Sequence, residues 1–238
     1  IYSVYSESFQ TVNKVSLYGK IGYTQYQNGE QNWNGMTGDH WQAINLCDSI
    51  SGKQRSEQYQ LAAGFSLPVH QHWLLGAKAA YQVQLTAKDI DPRNKNQWME
   101  WQFAPGMGYL YRDLQLGASF LYMRRKETVN YQNIGSHTAY PVLAAYPLGY
   151  FKTLSVGENV NWYYIGQEVG GSLQLEFNRG PFKLFQEVDG SVINQTIESN
   201  RIQNRKEGES NIWQIDYKGK LQRVSPLFRH EWAWQATF

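Results

Sequence analysis

Few combinations of residues in this 238-residue chain could do covalent chemistry. Asp89 and Asp91 lie two apart, and Asp39 and His40 stand side by side upstream. Carboxylates with an Asp–His pair are what a rim protease would use to activate a water. Adjacent residues of an extended chain face opposite ways, however, and Asp91-Pro92 is a common turn opener, so both groups read as solvated loop charges. His230 alternates with Phe228 and Trp232. A lipid-face hydrolase would need a serine beside such an imidazole, with an Asn to orient it, and the position two along is Trp232, so His230 reads as an interfacial side chain. The single cysteine, Cys47, can form no internal disulfide, and the thiols or imidazoles of a zinc site are missing nearby. It reads as an inert thiol in a loop. The expectation is a non-enzymatic protein with neither metal nor cofactor.

The composition says what kind of scaffold carries these residues. Lys and Arg total 22 against 20 for Asp and Glu, a net charge of +2 without a concentrated basic run, which argues against nucleic acid as a partner. Aromatics make up 15% of the chain and are led by 17 Tyr and 9 Trp, side chains that favour a membrane–water boundary because each has an apolar body and a polar tip. A mean hydropathy of −0.58 is compatible with a barrel, where only every second strand residue faces lipid. No run approaches the roughly 18–20 apolar residues of a spanning helix.

Strict alternation supplies the architecture. Val15, Leu17, Ile21 and Tyr23 alternate with Ser16, Lys20 and Gly22; Tyr59, Leu61, Ala63 and Phe65 alternate with Gln60, Ala62 and Gly64. Met99, Trp101, Phe103, Pro105, Met107, Tyr109 and Tyr111 face one way, while Glu100, Gln102, Ala104, Gly106 and Gly108 face the other. Similar runs begin at Trp73, Leu114 and Tyr163, with further strands near 183–196, 212–223 and 227–238 and a weaker one near 1–10. That makes about ten strands, longer than the usual 5–6 residues of globular proteins and suited to a tilted span of a bilayer. Aromatics at the ends of the apolar runs (Tyr59, Trp73, Tyr81, Trp98, Tyr111, Tyr122, Tyr163) match interfacial girdles. Short turns near 11–13, 69–71, 112–113, 179–181 and 225–226 alternate with long links at 28–56, 87–97, 128–160 and 199–210, the pattern of periplasmic turns and external loops. The fold expected is all-β: an antiparallel up-and-down transmembrane β-barrel over residues 1–238, one domain, located in the bacterial outer membrane. Following the alternation puts both ends on the loop side, so the reading takes the chain as an internal portion of a larger barrel.

Parity then assigns faces. Lys20, Lys78, Glu100, Glu168, Glu176, Glu187, Asp189, Asp216, Arg229 and Glu231 are expected to face the lumen, where mixed signs would either pair across it or tune ion selectivity. Trp33, Trp41, Tyr140 and Tyr146 in the long links are candidates for stacking on a sugar or docking a partner, unless they pack among themselves in a folded lid.

The segment Ala87-Lys88-Asp89-Ile90-Asp91-Pro92-Arg93-Asn94-Lys95-Asn96, followed by a strand containing Pro105-Gly106-Met107-Gly108-Tyr109, resembles an uncharacterised family of Bacteroidota outer-membrane β-barrel proteins. The resemblance runs from about Lys14 onward. It implies location and fold and supplies no catalytic residues. The leading functional expectation is a structural or accessory barrel in a surface complex for nutrient uptake or envelope assembly, with the lipid bilayer and other outer-membrane or surface proteins as partners. The alternative is a porin-like channel for small solutes; a rim or lipid-face hydrolase comes third.

Overall fold

The computed structural model describes residues 1–37, 43–135, 140–156, 160–199, 205–225 and 228–238. Ten strands form one antiparallel meander: β1 (Tyr2–Val12), β2 (Val15–Gln31), β4 (Gly52–Pro68), β5 (Trp73–Lys88), β6 (Arg93–Tyr111), β7 (Leu114–Gln132), β10 (Val160–Arg179), β11 (Phe182–Ser199), β12 (Arg205–Val224) and β13 (Arg229–Thr237). Neighbours in sequence are neighbours in the sheet, with only the small sheet of β3 (Asn45–Cys47), β8 (Pro141–Ala145) and β9 (Phe151–Val156) inserted between them. At one end the strands meet in tight turns. Asn13, Arg112 and Gly180 adopt positive φ there, as two-residue hairpin turns require.

Strands β6, β7, β10 and β12 are 19 or 20 residues long, about twice the 9–11 that cross a bilayer. The two halves of each strand differ. In the turn-end half, the outward side chains form a bare apolar band that includes Leu61, Phe65, Phe103, Met107, Phe120, Leu173 and Ile215, all exposed. Above the band the outward positions become Lys53, Arg55 and Glu57 on β4 and Arg93, Lys95 and Gln97 on β6.

This transition corrects the expected boundaries. The links at 28–56 and 87–97 were expected to be loops because their polar residues break the apolar–polar alternation. The strands nevertheless extend into them: β2 reaches Gln31 and β4 starts at Gly52, and β5 and β6 are joined by residues 89–92 alone. Ladder hydrogen bonding does not require an apolar face. Likewise β7 runs to Gln132, β10 starts at Val160, and β11 and β12 reach Ser199 and Arg205. Trp98 is also corrected: it pairs with Gln84 and Glu127, shares their inward face and is buried, so it belongs to no outward girdle.

The inner face is concave, since side chains from eight strands, from Phe9 on β1 to Phe185 on β11, line one hollow. Its loop end is covered by a cap whose described residues, 32–37, 43–51, 133–135 and 140–156, include β3, β8 and β9 in the order β3-β8-β9. Cap residues Met36, Ile44, Leu46, Val142, Ala144 and Leu154 pack on wall residues Val129, Tyr131, Val160, Trp162, Tyr164 and Ile197. Among the described residues this is the hydrophobic core, and it lies between cap and wall. Trp162→Ala, which removes one of the largest of these side chains, is expected to loosen the cap by about 3–5 kcal/mol. Hydrogen exchange at the β8 amides would accelerate while the β10–β11 ladder near Gly171 stays protected.

Candidate functional site

The inner face is divided by height into three zones, each set by which side chains the alternation points inward. The upper zone fastens the cap. Asp48, next to Cys47 at the end of β3, receives Lys88 Nζ at 2.6 Å on one oxygen and the Tyr131 hydroxyl at 3.2 Å on the other. Both charged side chains are only 3% exposed. Lys88 also donates to the Ile50 carbonyl at 2.6 Å, so the ammonium spans two points of one cap segment. A second cluster holds the segment before β3. Asn94 and Asn96 donate to the Gly35 carbonyl at 3.1 and 2.6 Å, Gln84 donates to the Thr37 carbonyl at 3.2 Å, and Glu127 accepts the Thr37 amide at 2.7 Å. Gly35 is required by proximity: a Cβ there would lie 1.9 Å from the Tyr131 hydroxyl.

The middle zone is a belt of paired charge. Arg125 bridges Glu100 at 2.7 Å and Glu168 at 3.2 Å across β6, β7 and β10. Lys218 joins Glu187 and Asp189 at 3.3 and 3.2 Å, and Asp216 accepts from Thr237 and Gln214, both at 2.6 Å. Toward the turn end Glu231 takes Lys220 at 2.8 Å and Arg229 at 3.4 Å, and Glu176 accepts from Asn178 at 2.7 Å. Lys20 and Lys78 complete the ten inward residues expected from parity; both line the inner face, and neither makes an ion pair among the described residues. The lower zone carries small side chains, among them Gly64, Ser66, Gly76, Gly106, Gly117 and Ser119, which leave a hollow of about 530 Å³.

The remaining candidates have structural duties where they are described. Asp91 holds Arg93 at 2.9 Å and accepts the backbone amides of Ile134, at 2.9 Å, and Gly135. The Gly135 amide is the main reason its carboxyl is held below the usual range, with Ile134 and Arg93 adding to it and partial burial opposing. Asp89 accepts the Lys53 amide at 3.0 Å. Asp39, His40 and Trp41 lie outside the described residues. His230 faces outward and stacks on Trp232 at 5.8 Å. Trp33 meets Phe151 edge-on at 5.9 Å, Tyr146 packs against the cap core and against Tyr150 at 5.6 Å, and Tyr140 precedes β8, half-buried. Cys47, expected in a loop, is instead buried in β3, where desolvation and the neighbouring Asp48 push its thiol up to about 11. Sequence reasoning missed Asp48, Lys88, Asn94, Asn96 and Glu127; around Asn94, Asn96 and Glu127 the neighbouring positions are polar as well, so no apolar–polar alternation marks them.

The fold is thus an all-β antiparallel meander shaped as part of an outer-membrane receptor barrel. It is similar to the ferric yersiniabactin uptake receptor FyuA from Yersinia pestis, with a TM-score of 0.52 and 10% identity, over 88% of this chain and 32% of that one. At that identity the likeness concerns the fold alone. In sequence, the chain belongs to a family of unknown function, DUF6850, whose model matches residues 1–238. No curated protein matches it.

Removing one partner of the buried ion pair leaves an uncompensated charge, so Lys88→Met is expected to destabilise the capped state by about 3–5 kcal/mol. Limited proteolysis within residues 43–51 reads that loss, and Lys88→Met combined with Asp48→Leu should restore part of the resistance. The raised thiol pKa leaves about a thousandth of Cys47 as thiolate at pH 8. Wild-type protein should therefore resist maleimide at that pH and label in the Lys88→Met variant; equal labelling of both would show that the cap does not shield the thiol.

Proposed function

We propose that this chain is the wall of a non-enzymatic outer-membrane β-barrel, a structural or accessory component of a surface complex for nutrient uptake or envelope assembly. The observation that carries the reading is the cap. A channel for small solutes needs a continuous wet lumen, whereas the loop end of this inner face is filled by three strands, a hydrophobic core and a buried ion pair. The membrane part of the reading rests on the outward band, where Trp213 is 77% and Leu173 67% exposed. Contiguous apolar surface of that kind marks contact with lipid or protein. Tyr59, Tyr81 and Trp101 at the upper margin and Trp73 and Tyr111 at the turn end suit the two interfaces of a bilayer. That the band gives way to Lys53, Arg55, Lys95 and Arg93 above this margin fits strands that leave the hydrocarbon and continue into water.

The non-enzymatic part is supported by how the reactive side chains are used. Asp91 ties residues 134–135 to the wall, His230 is stacked among aromatics, and the inward carboxylates of the middle zone hold cations or amides. The test is native mass spectrometry of the full-length protein extracted gently from its own membrane, followed by bilayer conductance of the same preparation. Stoichiometric protein partners and a closed conductance trace are expected. A lone chain with steady conductance would overturn the accessory role and establish the porin-like channel.

A further inference from the structure

Beneath the cap, on the inner face of β2, β4, β5 and β6, the sheet builds a polar shelf that is only loosely tied together, with Gln60 donating to Gln82 at a long 3.5 Å. Ala62 and Ala80 pair directly across β4 and β5 and form its floor, and the same row continues to Lys20 on one side and Gln102 on the other. Gln60 and Gln82 stand one row above, Lys78 and Gly64 one row below. The pocket lined by these residues other than Gly64, together with Tyr18 and Glu100, measures about 200 Å³, below the 300–1,000 Å³ of drug-sized sites and suited to one small solute.

The charges of the shelf are unequally committed. Of its carboxylates, Glu100 is held by Arg125 at 2.7 Å, and Glu7, across from Lys20, lies against the Tyr18 hydroxyl. The two ammoniums have no such partner: Lys78 sits 6.0 Å over the Tyr18 ring, and Lys20 has no ion pair among the described residues. Elsewhere on the inner face Lys88, Arg125, Lys218, Lys220 and Arg229 each hold a carboxylate, while Lys183 on β11, like the shelf lysines, makes no ion pair among the described residues but has no second ammonium across a shared pocket. A pair of free ammoniums flanking a floor of methyl groups is a carboxylate receptor, and an ammonium–carboxylate hydrogen bond is the stronger, charge-assisted kind. The neighbouring amides each offer both donor and acceptor, which is what hydroxyl groups require.

We propose that this shelf binds a small hydroxylated carboxylate of the sugar-acid class, its acid group between Lys20 and Lys78 and its hydroxyls on Gln60, Gln82 and Gln102. The site goes beyond the accessory role, because binding to it does not depend on whether partner proteins are present. Solute reaches it from the open turn-end hollow, whose lining shares Tyr18 and Lys78 with the shelf.

The test is isothermal titration of the full-length protein in detergent with glucuronate and, as the uncharged probe, glucose. Glucuronate should bind and glucose should bind at least about tenfold more weakly, the effect of losing one charge-assisted contact. Lys20→Gln and Lys78→Gln should each weaken glucuronate by a similar factor, and Lys183→Gln, on a strand remote from the shelf, should leave it unchanged. Folding of each variant is checked by heat-modifiable migration on a gel, and Ala62→Leu, which fills the floor without touching a charge, gives an independent loss of binding. Absence of glucuronate binding by the wild type, equal affinity for glucose, or unchanged affinity in both lysine variants would overturn the site. None of these results bears on the native mass or the conductance, so the shelf and the accessory role fail separately.

Discussion

The contact between the cap and the loop end of the wall is the interaction on which the rest of the structure depends. A ten-strand meander satisfies its backbone hydrogen bonds sideways, but a single sheet has no second layer to bury side chains against. Here the outward face of the turn-end half is bare apolar surface and most of the inner face is polar, so neither supplies a conventional core. The cap does. It brings Leu46, Val142 and Ala144, all fully buried, against Val129, Tyr131 and Trp162, and places Asp48 where Lys88 and Tyr131 can compensate it.

The magnitudes separate that contact from the charges around it. Burying a large aliphatic or aromatic side chain contributes about 1.5–3 kcal/mol, and six wall residues are buried this way beneath the cap. The ion pairs of the middle zone are partly exposed; Lys218 and Lys220 retain 44% and 41% of their side-chain exposure, and pairs of that kind contribute about 0–1 kcal/mol each. The belt therefore neutralises the inner face more than it stabilises the sheet. The Lys88–Asp48 pair is different because of its burial. Its net worth relative to apolar side chains is small, but losing one partner is costly, so it fixes where the cap sits rather than how strongly.

The same division by height orders the possible functions. The upper zone is closed and engaged, the middle is charge-balanced, and the lower zone is open and lined by small residues. Where these zones meet on β2, β4, β5 and β6, Lys20 and Lys78 make no ion pair among the described residues. Under the proposed function, a wall so arranged offers a solute a resting place below the cap and presents its apolar outward band to lipid.

The sequence by itself determined the meander and, along the alternating runs, which side chains share a face, the ten charged positions expected inward among them, because strand periodicity is local and survives without knowledge of neighbours; Trp98, just outside such a run, was assigned to the wrong face. The tight turns were legible for the same reason: Asn13, Arg112 and Gly180 lie between alternating runs. What only the tertiary structure decided was where the strands end and what covers them. Alternation of apolar and polar residues marks a strand only while its two faces meet different media. Above the apolar band both faces of β4 and β6 are polar, so Asn94 and Asn96 read as loop although they are strand residues that hold the Gly35 carbonyl. Tyr131 and Trp162 are buried in a core that includes Leu46 of β3, more than eighty residues away in sequence. No local pattern encodes that contact, since its cost is the closure of two long insertions and its gain is realised only when cap and wall meet.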